Sequence, residues 1–105
     1  MINLSYTMIV FIERKIQKII NKYSKQDRAK IHRIIELFEE KGFLLSEIHL
    51  KKLTKNIWEL RPGNIRLLFG IVRNKGIITN VFIKKTNKIP SKKLEIVEKR
   101  LKKYI

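Results

Sequence analysis

The sequence predicts an α+β fold in the order β-α-α-β-β-β-α: an antiparallel sheet with two N-terminal helices packed on it and a C-terminal helix. Three observations carry this. Apolar residues recur at helical spacing in two adjoining segments between residues 13 and 41, and again after residue 90. Turn-forming residues at 62–64 and 74–76 divide a β-branched and aromatic run into consecutive strands. A short run of the same kind, 6–12, precedes the first helix. Helices gathered on either side of a meander fit a layered α+β domain.

Residues 6–12, YTMIVFI, read as a strand. It is apolar on both parities, which predicts a central position or cover on both faces. Residues 13–23 read as a short helix, with Ile16, Ile19, Ile20 and Tyr23 along one stripe. Ser24 follows as an N-cap with Asp27 at N3, and the second helix runs to about Lys41. Its stripe is Ile31, Ile34, Ile35 and Phe38, and Gly42 suits a left-handed C-cap. Residues 43–55 show no clean period and read as a loop pinned by Leu45, Ile48 and Leu53.

The strand 56–61 places Trp58 and Leu60 on one face and Glu59 and Arg61 on the other. Pro62-Gly63-Asn64 is a turn into a strand over 65–73. There Ile65, Leu67, Phe69 and Ile71 share one face, and Arg66, Leu68, Gly70 and Val72 share the other. Asn74-Lys75-Gly76 reads as the next turn, and 77–84 as a strand of unclear facing. After a polar connector, 86–90, Pro90-Ser91 opens a helix with the stripe Leu94, Val97, Leu101 and Tyr104.

The 105 residues fit a single domain spanning 1–105, long enough for one modest core. There is no cysteine, which excludes disulfides and thiolate metal sites. The two histidines show no metal-ligand spacing, and no glycine loop for phosphate precedes a helix. No long apolar run marks a leader or a membrane span, so the expectation is a soluble cytoplasmic protein.

The formal net charge is +16. Lysine abundance alone is weak evidence in a chain so rich in Lys, Ile and Asn, but its distribution is informative. Residues 1–50 carry nine Lys and Arg against six Asp and Glu, while residues 51–105 carry sixteen against three. The second half therefore builds a surface for a polyanion. Arginine is more informative than lysine here, because its planar fork binds phosphate oxygens in pairs. Arg61 and Arg66 flank one tight turn, which puts both guanidinium groups within reach of one phosphate. Lys84-Lys85 closes the last strand beside them. Each of these groups also reads as an ordinary solvated strand charge when taken alone.

The segments WELR (58–61), NIRLLFGIV (64–72) and VFIKKTNKIPSKKLEIVEKRLKKY (81–104) together resemble the phage-type HigB branch of the RelE-like toxins of type II toxin–antitoxin systems. The resemblance extends over nearly the whole chain. It implies a RelE-like fold and an endoribonuclease, an mRNA interferase, that cuts mRNA on the ribosome and so inhibits translation and arrests growth. It also implies a cognate antitoxin, usually from the adjacent gene and often a small helix-turn-helix protein. Carried over by position, it implies Arg61, Arg66, Lys84 and Lys85 as catalytic residues. Arg73, Lys51, Lys52, Lys55 and Lys88 are the expected flanking RNA contacts. The chain departs from that family's pattern in having no histidine in or after the last strand, where some members keep acid/base residues, and Glu59 where some members have lysine.

Such a reaction needs no metal and no cofactor, because the 2′-OH of the RNA is the nucleophile. The protein has to hold the backbone in line, stabilise added charge and move two protons. Arg61 and Arg66 are expected on the scissile phosphate, with Lys84 or Lys85 on the transition state or the 5′-oxygen. Glu59 and His49 are the two candidates for the base. The neighbouring arginines are expected to depress the Glu59 pKa, and Arg66→Ala is expected to abolish activity with the fold intact. Two other readings share the charge pattern: a non-catalytic RNA-binding, DNA-binding or ribosome-associated module, and a basic surface that only captures an acidic partner.

Overall fold

The computed structural model describes residues 8–85 and 88–105. The elements are β1 (Ile9–Ile12), α1 (Arg14–Asn21), α2 (Lys25–Lys41), β2 (Leu50–Thr54), β3 (Ile57–Leu60), β4 (Ile65–Val72), β5 (Lys75–Ile83) and α3 (Ser91–Leu101). Short 3-10 turns follow α2 and α3, at Gly42–Leu44 and Lys102–Tyr104. The α+β class, the two helices before the meander and the closing helix are as the sequence predicts. Tyr6 and Thr7 of the first predicted strand, and residues 86 and 87 of the connector, lie outside the described residues.

The sheet has five strands in the order β1-β5-β4-β3-β2. It is mixed rather than antiparallel: β2 to β5 form an antiparallel meander, and β1 lies parallel to β5. β1 is therefore an edge strand, not a central one. Its apolar residues on both parities have two separate causes. Val10 and Ile12 pack under the N-terminal helices, while Phe11 meets the Tyr104 ring edge-on at 5.8 Å. Ile9 and Phe11 remain 58% and 45% exposed.

The 43–55 segment also differs from its prediction as a loop, because residues 50–54 pair with β3 as a strand. Its period was hidden because β2 is the other edge of the sheet. Lys51 and Lys52 face solvent there, and a register shift falls between Lys52 and Thr54.

Helices cover both faces. On one, Ile16 and Ile20 of α1 and Ile31, Ile34 and Phe38 of α2 pack on Leu60, Leu67, Phe69 and Ile78. On the other, Val97 and Leu101 of α3 pack on Ile57, Leu68, Val72 and Ile77. The two helices are separated by a capped break: the Ser24 hydroxyl accepts from the Asp27 N–H at 3.1 Å. Gly42 ends α2 at φ 56° and ψ −136°, a conformation open to glycine and few other residues.

α3 sits very close to β4 at Gly70. A Cβ there would lie 2.3 Å from Leu101 Cδ1 and 2.8 Å from the Asn56 carbonyl oxygen. The leucine can shift, but the backbone oxygen cannot without parting the β2–β3 turn. Gly70→Ala is therefore expected to lower stability by about 1–3 kcal/mol, seen as an earlier urea midpoint at unchanged slope.

Two details of the β4–β5 hairpin matter for function. The turn is Arg73-Asn74, not 74–76, with both residues at positive φ, 50° and 65°. This two-residue geometry matches the twist of the flanking strands and leaves Lys75 and Gly76 in β5. Further along, Leu68 pairs with Asn80 but Phe69 pairs with Ile78, so Thr79 is an extra residue in β5. Such a bulge exchanges the two faces of the strand. Ile77 faces α3 and Ile78 faces the N-terminal helices; beyond the bulge, Phe82 faces α3 and Val81 the helices. Arg100 of α3 holds the bulge, donating from one terminal nitrogen to the Thr79 carbonyl at 2.6 Å and to Asn80 Oδ1. The exchange explains why the facing of 77–84 has no clear reading in the sequence.

Candidate active site

The bulge carries the end of β5 to the face on which Arg66 emerges from β4. Arg66 pairs with Phe82 across the ladder, and Lys84 extends the pairing with its N–H on the Asn64 carbonyl, 2.6 Å. The result is a cleft of about 510 Å³ at one end of the sheet. Glu59 and Arg66 come from β3 and β4, and Phe82, Lys84 and Lys85 from the end of β5. Lys88 and Lys93 line the α3 side, and Tyr23 enters from the corner between α1 and α2.

The centre of the site is a carboxylate shared by two arginines. Glu59 Oε1 lies 3.3 Å from Arg61 Nε and 3.7 Å from Arg66 Nε. Glu59 and Arg66 are both buried, at 4% and 6% exposure. One terminal nitrogen of Arg66 also donates to the carbonyls of Gly63, 2.7 Å, and Ile65, 2.8 Å. Arg66 is thus fixed by the turn it follows, and its guanidinium meets the cleft from a rigid seat.

Electrostatics at Glu59 run opposite to the expectation of a depressed pKa. Burial pushes the carboxyl above its ordinary value, against the downward pull of Arg66, Arg61, Lys51 and Lys84. Desolvation wins because the carboxylate lies beneath the sheet surface while two of those cations, Lys51 and Lys84, are on it. Burial also lowers the Arg66 pKa, with Glu59 opposing that and Arg61 adding to it. Tyr23 is pushed up by burial and by Asp27, so its phenol stays protonated and able to donate.

The remaining predicted residues divide between this cleft and other places. Arg61 is half-buried, donates to the Glu47 carbonyl at 3.0 Å and opens on a second groove, together with His49. It touches the cleft only through Glu59. Lys51 and Lys52 lie on the β2 edge, where Lys52 Nζ stands 5.5 Å over the Trp58 ring. Lys55 lies in the β2–β3 turn. Arg73 is seven residues from Arg66 along β4, about 24 Å at strand rise, and so at the opposite end of the sheet.

Tyr23, Phe82 and Lys93 line the cleft without having been singled out from the sequence. Tyr23 sits in an apolar stripe, where a tyrosine looks like any core residue. Phe82 reads as core until the bulge is known. Lys93 does carry a signal: a lysine in the first turn of a helix opposes the dipole. Its Nζ lies 3.6 Å over the Phe82 ring, which places a cation and an aromatic face together at the mouth.

A family model described as phage-derived protein Gp49-like (DUF891) matches residues 18–102. The chain belongs to that family. It is a RelE/HigB-type toxin family, and membership implies an antitoxin partner. The match in this Gp49-like chain takes in every residue of the cleft, from Tyr23 to Lys93, and leaves out β1. No curated protein matches the Gp49-like chain. Among its described residues, no helix is long and apolar enough to cross a membrane.

Proposed function

We propose that this chain is the toxin of a type II toxin–antitoxin pair of the HigB kind and acts in the cytoplasm as an endoribonuclease on mRNA, most effectively on the ribosome. The observation that carries the reading is the buried Glu59, its proton affinity raised by burial, in a cleft whose other charged lining residues are all cations. A plain anion-binding surface gains nothing from a buried carboxylate, which repels phosphate. A site that must take a proton from a 2′-OH beside a phosphate needs such a group.

The residues divide the work as follows. Arg66 binds the scissile phosphate and, with Lys84, stabilises the charge added as the 2′-oxygen attacks phosphorus. Glu59 accepts the 2′-OH proton. Lys85 or the protonated Tyr23 gives a proton to the departing 5′-oxygen. Phe82, backed by Lys93, offers a face on which a base stacks and so fixes the nucleotide in line. Arg61 acts through Glu59, holding the carboxylate. Lys88 and the β2 lysines contact the RNA on either side.

The products are a 2′,3′-cyclic phosphate and a 5′-hydroxyl. Primer extension on mRNA from cells after induction is expected to show new ends within translated regions. The downstream fragments should accept phosphate from a kinase without prior dephosphorylation. New ends that carry 5′-phosphate would sink the scheme, and absence of new ends during growth arrest would leave a non-catalytic binder.

A further inference from the structure

Besides the cleft, the chain has a groove of about 600 Å³ between α2 and the segments 48–49 and 61–63. Its α2 wall is the row Gln26, Lys30, Arg33 and Leu37, spaced i, i+4, i+7 and i+11 beside the buried stripe. Ala29 and Leu37 give it an apolar wall, and Ile48, 76% exposed, stands opposite. Lys30, Arg33 and Arg61 supply cations, and among the described residues no carboxylate lines it. Apolar residues interleaved with cations fit a helix with leucine-like residues on one face and carboxylates flanking them.

We propose that this groove docks an acidic amphipathic helix of the antitoxin that the family membership implies. The apolar face of that helix covers Ala29, Leu37 and Ile48, and its carboxylates meet Lys30, Arg33 and Arg61. The choice of Arg61 has a consequence that rests on the nuclease reading above. The same guanidinium holds Glu59, 3.3 Å away, and lowers that group's proton affinity. A partner carboxylate on Arg61 draws it from Glu59, and the buried acid then holds its proton more tightly. The base is silenced from outside the cleft, without the partner entering it.

The test uses a synthetic helical peptide of about 18 residues, with Leu on one face and Glu beside it, titrated into the ¹⁵N-labelled chain. Shifts are expected at residues 29–37, 48 and 61. Lys30→Glu with Arg33→Glu should weaken binding at least about tenfold. Lys99→Glu with Lys103→Glu makes the same charge change on and just beyond α3, which covers the other face of the sheet, and should leave binding within about twofold. Equal losses from both pairs would mean general charge attraction and overturn the proposal. So would shifts confined to the cleft, or a single-stranded RNA that moves the groove residues when the peptide does not. RNA cleavage is read on the same samples. Groove binding by a chain that cuts no RNA would keep the docking site and overturn the nuclease reading. Cleavage by a chain whose groove ignores the peptide would do the reverse.

Discussion

Lys84→Met is expected to slow RNA cleavage by about 10²- to 10³-fold while leaving the unfolding midpoint where it was. The lysine side chain borders the cleft, and the hydrogen bond that Lys84 makes to the Asn64 carbonyl comes from its backbone N–H, which methionine keeps. Methionine retains the stem and removes the charge. Arg66→Ala is expected to cost as much activity but to change the fold as well, contrary to what the sequence suggests. Its guanidinium ties down the Gly63 and Ile65 carbonyls and lies against Glu59. Removing one partner from such a buried cluster costs about 3–5 kcal/mol, because the groups left behind are desolvated and unpaired. Activity lost by Arg66→Ala is therefore ambiguous, and Lys84→Met is the cleaner probe. Both variants should be followed by cleavage rate and by thermal unfolding. A Lys84→Met chain that cuts RNA at the parent rate would remove Lys84 from the site.

The difference between these two residues shows what the sequence displayed and what it hid. The α+β class, the helix break at Ser24 and the facing of β4 follow from local periodicity and capping, and they are visible in the string of residues. The site depends on the alignment of strands that are apart in sequence. One inserted residue, Thr79, decides which face Phe82 and Lys84 occupy, and a bulge has no side-chain signature of its own. The same limit applies to Glu59. From its neighbours alone, two nearby arginines predict a lowered pKa. Only its depth under the sheet shows that desolvation outweighs them. Arg61 and Arg66 do converge, as their spacing across one turn suggests. They meet on a carboxylate, however, and Arg61 then turns towards the second groove. The β1 and β2 edges differ from what their sequence patterns predict for one reason: edge strands carry mixed patterns, because solvent and helix each cover part of them.

Glu59→Gln gives the most direct reading of the proposed chemistry, because it changes two pH dependences in known directions. The folded carboxyl has a pKa above its ordinary value. Its contribution to stability is then full below the ordinary glutamate value and is lost as pH rises through the raised one, where the buried group has to give up its proton. Glutamine imitates the protonated acid. The variant should therefore gain stability relative to the parent as pH rises through that window, and urea midpoints across the range will show it. Cleavage should move in the opposite sense. The parent rate should climb with pH on a limb centred above the ordinary glutamate range, as the base loses its proton. The variant should lack that limb and cut about 10²- to 10⁴-fold more slowly on its plateau. His49→Ala, on the second groove, should keep the limb and its midpoint. A Glu59→Gln chain that retains the parent limb would transfer the base to another residue. One that retains the limb but loses stability relative to the parent as pH rises would make Glu59 a structural acid, with its charge spent on holding Arg61 and Arg66.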